Sequence, residues 1–369
     1  MLKNKIYNNY LIEIFKTFFT IILGLSLIAL TVRSVNFLDL IVDNGYSLFT
    51  YFSYSFLNIF GIAPKFFPLA FLLAIIIFIV KHLNNNEFVI LWTTGVKKIT
   101  MVNLLLLSSF IVVTIYLLFS IYLTPLILNK ARIMLGQSQF NSFLPTIKAK
   151  QFSDSFKGLT FFVEKKMDNE IQNVFLHDTG NNLKNFSSNI SNSKSITILA
   201  DKGIVENKSL FLINGEIISN RKSSEESHVV KFEQLNIDLK KLNPTIIKQP
   251  KLQETSTLKL LSCFLKKDTS QKFCSDNAIK EVIPALARRL ILPTYIPVLA
   301  LLCSILLLSN RGYFTNSISI FSYSFLILIL AELLLKYTGY NHLIRILYII
   351  LPIIMFALIY PLLMYRFAK

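Results

Sequence analysis

Between Met101 and Leu128 the chain runs for 28 residues without a charged side chain. No other feature restricts the possible folds as much. A bilayer's hydrocarbon core takes about 20 residues of helix and leaves no water for open backbone groups. Runs of 20, 19 and 20 uncharged residues recur at Leu290–Ser309, Tyr313–Ala331 and Ile346–Tyr365, and these four stretches read as membrane spans. Leu57–Val80 is interrupted only by Lys65, near one end. Tyr10–Val32 carries Glu13 and Lys16, whose i, i+3 spacing lets them pair and snorkel at an interface. Its remainder, Thr17–Val32, is 16 residues without charge. No small-residue cleavage site follows it, so the N-terminal stretch reads as a span and not as a cleaved signal.

Lys and Arg in the short loops set the expected orientation. With the N-terminus inside, the cytoplasmic segments hold Lys3, Lys5, Lys81, Lys97, Lys98, Arg311, Arg366 and Lys369. The first outer loop carries Asp39 and Asp43 after the single Arg33. Both termini are then cytoplasmic, and the long middle region lies outside. The net charge of +17 largely borders membrane, where anionic headgroups attract it. Nucleic-acid binding is the weaker explanation, because no basic stripe interleaved with aromatics occurs in a soluble part.

The expected fold class is an α-helical membrane protein with six transmembrane helices, arranged three plus three around an extracytoplasmic all-β insertion. The halves are 1–128 and 282–369, with 129–281 between them. The insertion has strand signals at Gly158–Glu164, Asn173–Leu176, Ser195–Ala200, Leu210–Ile213 and Val229–Leu239. Turn signals separate them at Asp178–Asn182, Asp201-Lys202-Gly203 and Asn214-Gly215. This spacing predicts an antiparallel sandwich or roll. It would serve either as an inert cap or as a slot or open sheet edge for a partner. Asn243–Thr255 reads as a linker, and Thr257–Lys267 as a short helix leading back to the membrane.

Signs of chemistry are sparse. Four histidines, His82, His177, His228 and His342, lack metal-ligand spacing. No phosphate-binding loop, HExxH or GxSxG motif occurs, and no cofactor is implied. Cys303 lies within a span and reads as a packing residue. Cys263 and Cys274 would pair in an oxidising compartment, or remain as two buried thiols.

A short helix after the second span, 84–95, is more informative. Asn84–Asn86 can cap it, and Glu87 sits in the first turn, where the helix dipole favours a carboxylate. Phe88, Leu91 and Trp92 fall on one face, Gly95 suits the left-handed position after the helix, and Lys97-Lys98 follows. Such a helix is either an ordinary interfacial helix or a docking knob for a cytoplasmic partner. Lipid alone would select basic residues over an acidic one.

Ionisable residues near the span ends form a second group. Arg33 ends the first span and Lys65 begins the second. Arg288 and Arg289 begin the fourth, Glu332 and Lys336 lie one turn apart on the fifth, and His342 and Arg345 open the sixth. Individually each reads as a snorkelling side chain. Together they would make a basic rim toward the outer leaflet, suited to an anionic amphiphile.

This layout resembles the LptF/LptG permeases of the lipopolysaccharide exporter, over essentially the whole chain. The segments that carry the likeness are Glu87–Val96, Leu144-Pro145-Thr146-Ile147-Lys148 with Gln151-Phe152, and Ala287-Arg288-Arg289-Leu290-Ile291-Leu292-Pro293. The Leu144–Lys148 stretch and the Gly158–Val163 strand lean toward LptF. Ala285 departs from the acidic residue expected ahead of the arginines. The resemblance implies a β-jellyroll insertion and a non-catalytic permease paired with an LptG-like paralogue on an LptB-like cytoplasmic ATPase dimer. That assembly would extract lipopolysaccharide from the outer leaflet of the inner membrane and pass it to LptC/LptA-like periplasmic jellyroll proteins. By the same resemblance, Glu87, Phe88, Leu91, Trp92 and Gly95 would couple to the ATPase. Arg33, Lys65, Glu332, Lys336 and Arg345 would line the lateral gate. The competing readings are a membrane-anchored scaffold and a mechanotransmitting permease with no lipid passage.

Overall fold

A computed structural model describes residues 2–42, 46–141, 149–156, 158–167, 170–179, 183, 193–206, 209–221, 227–238, 250–265, 274, 276–308 and 313–368. Asp43, Leu144–Lys148, Arg311 and most of the expected linker fall outside these residues.

Six helical runs are long and apolar enough to cross a membrane: Lys5–Val42, Leu48–Asn84, Lys98–Gly136, Ala278–Leu308, Ser317–Tyr337 and His342–Phe367. They are built from α1 (Leu2–Asn36), α2 (Asp39–Val42), α3 (Leu48–Asn84), α5 (Lys98–Leu118), α6 (Thr124–Asn141), α8 (Asp276–Leu290), α9 (Tyr295–Ser304), α10 (Tyr313–Tyr337) and α11 (His342–Ala368). The short α4 (Glu87–Thr93) follows α3, and α7 (Thr257–Phe264) precedes α8. The described residues group into two compact units. One is Met1–Val32, Leu57–Asn129 and Lys251–Lys369, and the other is Arg33–Phe56 with Lys130–Pro250.

In the helical unit, Ile14 and Phe18 of α1 pack with Phe71 and Ile75 of α3, Val102 and Tyr116 of α5, and Ile296 and Leu299 of α9. Apolar residues such as Ile28, Leu326 and Leu358 stay more than half exposed. A water-soluble surface would not carry so many, whereas helices facing lipid require them. Association inside a bilayer depends on close packing, because lipid tails are as apolar as the helix surfaces. Ala70, Ala74, Ser108 and Ser109 are fully buried here, and Gly61 lies so close to Leu128 that a Cβ would stand 3.0 Å from its side chain.

Two irregularities shape this bundle. Pro64 and Pro68 sit inside α3, and Phe119–Leu123 forms a π turn between α5 and α6. Pro64 lacks the N–H that would bond the carbonyl of Phe60. That carbonyl accepts the Thr124 hydroxyl instead, at 2.8 Å.

The other unit contains a six-stranded antiparallel sheet in sequential order, β1 (Phe152–Phe156), β2 (Leu159–Met167), β3 (Glu170–Asp178), β4 (Ser193–Glu206), β5 (Ser209–Arg221) and β6 (Ser227–Asp238). Among the described residues the connectivity is a meander, without the crossed order of a jellyroll. Leu159, Phe161, Val163, Leu176, Ile198 and Leu210 form its core.

The turns expected at Asp201–Gly203 and Asn214-Gly215 are absent, because β4 and β5 run straight through them. Gln172 pairs with Lys202 and Val174 with Ala200, while Lys202 pairs with Ile213 and Ala200 with Gly215. Asn173, Asp201 and Asn214 therefore form one row across the sheet. Asn173 and Asn214 have φ of 51° and 50°. A left-handed residue within a strand flips the inside-outside alternation. Burial accordingly passes from Ile171 to Val174 and from Leu212 to Ile217. The row lets both halves of each strand turn apolar residues inward. Gly215 lies in the next row, opposite Ala200, where a Cβ would stand 2.2 Å from the Leu199 carbonyl oxygen.

Candidate functional site

Two constellations on the helical unit gather most of the singled-out residues. The first surrounds α4. A seven-residue helix is too short to persist alone, so its neighbours must hold it. Asn86 is its N-cap but makes no capping side-chain bond, contrary to the sequence expectation. The neighbouring Asn85 Nδ2 donates to Glu87 Oε1 at 3.2 Å. At the other end Gly95 has φ of 86°, and its N–H and that of Val96 bond back to Trp92 and Leu91.

The apolar face is turned inward. Phe88 is 1% exposed, between Tyr10 and Phe78, and Leu91 and Trp92 pack against the same core. Lys98 Nζ lies 4.3 Å from the Trp92 ring centre, within range of a cation–π contact. Phe88, Leu91 and Trp92 thus anchor the helix to its own bundle, while Gly95 stays exposed. The outward face presents Val89 and Ile90, 39% and 60% exposed, followed by Thr93. Sequence periodicity located the apolar face correctly but missed these residues as the free surface.

Glu87 is engaged within the chain. Its Oε2 lies 2.7 Å from His82 Nδ1, and His82 Nε2 lies 3.1 Å from Glu13 Oε2. Lys81 Nζ donates to Glu13 Oε1 at 2.6 Å. Glu13 therefore pairs across helices with Lys81, and not with Lys16 along its own helix.

The second constellation is a cavity of about 520 Å³ whose lining includes Lys65, Lys280, Arg288, Glu332 and Lys336. Lys65 and Glu332 also border a smaller apolar cavity of about 310 Å³, walled by Leu69, Leu292, Phe325 and Leu328. A basic chamber thus adjoins an apolar slot. Lys280 was missed in the sequence, because it lies on an amphipathic segment ahead of the recognised span.

Within the chamber the charges differ in availability. Arg289 is 6% exposed, and its guanidinium donates to the carbonyls of Leu252, Gln253 and Thr255 and to the Thr257 hydroxyl. It is a clasp holding the returning chain. Arg288 Nη2 donates to Glu332 Oε2 at 2.7 Å, so an acid on α10 supplies the partner that Ala285 does not. Arg288 Nε is buried and meets no acceptor among the described residues. Arg345 donates through Nε to the Thr338 carbonyl at 3.2 Å and does not line the chamber. Arg33 belongs to the other compact unit.

Cys263 and Cys274 form a disulfide with Cα atoms 5.2 Å apart, and Cys303 is a buried free thiol. No cluster of metal-binding side chains occurs among the described residues.

A family model described as lipopolysaccharide export system permease LptF/LptG matches residues 10–366. No curated protein matches the sequence.

Proposed function

Because the chain belongs to the LptF/LptG family of lipopolysaccharide export system permeases, we propose that it is the LptF-like membrane subunit of an ABC transporter. It draws lipopolysaccharide from the outer leaflet of the inner membrane. A separate LptB-like ATPase dimer supplies the energy from the cytoplasm, meeting the exposed Val89–Ile90 face of α4. An LptG-like permease completes the membrane assembly. Both termini are cytoplasmic and the β-sheet is periplasmic. The long strand β6, an edge among the described residues, with Val229 and Val230 more than half exposed, offers backbone groups for pairing with an LptC/LptA-like β-protein.

The observation that carries this reading is the adjoining pair of cavities. Lipopolysaccharide joins phosphates and acidic sugars to several acyl chains. The chamber offers Lys65, Lys280 and Lys336 at its wall, and the slot beside it offers Leu69, Leu292 and Phe325. Lysine ammonium groups attract phosphate as point charges, and apolar walls accept a chain without orphaning polar groups. Arg33 would add a further cation for the acidic head group, whereas Arg345 is engaged at the α10–α11 turn.

Photo-crosslinking in native membranes tests the reading. A benzophenone side chain in place of Lys280 and another in place of Leu69 should each capture lipopolysaccharide, with capture falling when ATP drives release. Absence of capture at both positions, in protein that purifies with its ATPase, would overturn it.

A further inference from the structure

We propose that His82 is a positioning residue that locks α4 to α1, so that a push on the short helix is delivered directly to the first span. The inference rests on the ATPase-driven reading above, and it assigns the transmission step to a side chain that neither span nor docking surface requires.

His82 is 3% exposed, enclosed by the rings of Tyr10, Phe78 and Phe88 with centres 4.9, 4.4 and 5.5 Å away. Both of its nitrogens face carboxylates, Glu87 on α4 at 2.7 Å and Glu13 on α1 at 3.1 Å. A neutral imidazole donates one N–H, whereas an imidazolium donates two. A ring with a proton on each nitrogen can donate to both acids at once, and Lys81 holds the other oxygen of Glu13. The charged groups facing the ring are thus Glu13 from α1 and Glu87 from α4, with Lys81 beyond Glu13.

The ring at the centre is shielded from water, whereas Glu13, Glu87 and Lys81 are 30%, 39% and 55% exposed, so the coupling rests on the two bonds to that buried ring. It is also directional. The ring is fixed on α3, so any displacement of Glu87 must either break the 2.7 Å bond or alter the partner presented to Glu13. Phe88 packs on the same ring, so α4 cannot slide without disturbing it.

The test uses the complete assembly with its ATPase in proteoliposomes, comparing wild type, His82→Gln, Glu13→Gln, Glu13→Asp and the Glu13→Gln/His82→Gln double variant. ATPase co-purification, ATP hydrolysis and lipopolysaccharide released per ATP are read separately. His82→Gln should retain bound, active ATPase while release per ATP falls by about tenfold, within the range of ordinary coupling energies. Glu13→Gln should lose a similar factor, Glu13→Asp should recover part of it, and the double variant should lose no more than either single one. Unchanged release per ATP in both single variants would overturn the inference, as would losses that multiply in the double variant. If His82→Gln fails to assemble, the Glu13→Gln and Glu13→Asp pair decides. A wild-type assembly that hydrolyses ATP without releasing lipopolysaccharide instead overturns the transport reading itself, and the inference falls with it.

Discussion

The Thr124 hydroxyl donates to the Phe60 carbonyl at 2.8 Å, and Phe60 is four residues ahead of Pro64, the residue that denies it a helical partner. In lipid an open carbonyl is costly, and neighbouring Ser or Thr side chains are a common remedy for a proline inside a span. Gly61 and Leu128 approach closely one turn further along, so the hydrogen bond and the tight contact fix the same crossing of α3 and α6.

Thr124→Val keeps the shape and removes the donor. Thermal unfolding in detergent should show a loss of about 1 kcal/mol, the ordinary net worth of a hydrogen bond. Thr124→Ser should retain most of it. Equal stability of the Val and Ser variants would mean that the carbonyl finds another donor.

Gly339 lies where a Cβ would stand 1.9 Å from the Lys280 carbonyl oxygen, whereas Gly24 has nothing within 4 Å. Gly339→Ala must push the α10–α11 turn away from α8, at a cost of about 1–3 kcal/mol. Gly24→Ala should be neutral or slightly stabilising, because alanine favours helix. Melting temperatures of the two variants in one detergent provide the comparison.

Reversing Lys65 and Lys336 to Glu should weaken lipopolysaccharide capture at position 280 by more than tenfold, at roughly 1 kcal/mol per lost cation near an anionic headgroup. Glu332→Gln should leave stability within about 1 kcal/mol, since its pair with Arg288 is partly exposed. Crosslinking yield and thermal stability, measured on the same preparations, separate binding from folding.

Replacing Cys263 and Cys274 by Ser should lower stability by about 2–3 kcal/mol, because the bridge closes a short loop. Maleimide labelling checks its presence. Native wild type should stay unlabelled and, once denatured, should react at Cys303 alone. Labelling of three thiols in denatured, unreduced protein would contradict the bridge.

Asn214→Val should destabilise the sheet by roughly 1–2 kcal/mol, because a β-branched residue resists positive φ. Asn214→Gly should fold normally. Urea unfolding followed by β-sheet circular dichroism gives the measurement.

Length and charge made the spans and the inserted sheet legible, since uncharged runs near 20 residues have few other uses. The same reading failed where one signal has two physical meanings. Asn-Gly at 214–215 marks positive φ, which ordinarily means a hairpin turn, but here it marks a reversal of pleat inside a strand. The face of α4 bearing Phe88 and Trp92 is apolar by periodicity, yet periodicity does not say whether a bundle or a partner covers it. Glu13 sits beside Lys16 in the sequence, but its partners Lys81 and His82 arrive from another helix. The engagement of Arg289 with backbone carbonyls left no trace in side-chain pattern at all.

The sequential strand order also bears on how the protein is made. Every strand in the sheet bonds to one that is next to it in the chain, so its contacts are short-range and form quickly. The sheet can therefore close as its own segment emerges, before Tyr295 has been synthesised. The helical core has no such freedom. Ile14, Val102, Ile296 and Leu363 share one cluster, so the first three spans must wait in the bilayer with their packing faces unmatched until the last three are inserted. A block in late synthesis should consequently leave a finished sheet on an unfinished bundle, a state that membrane quality control would have to recognise.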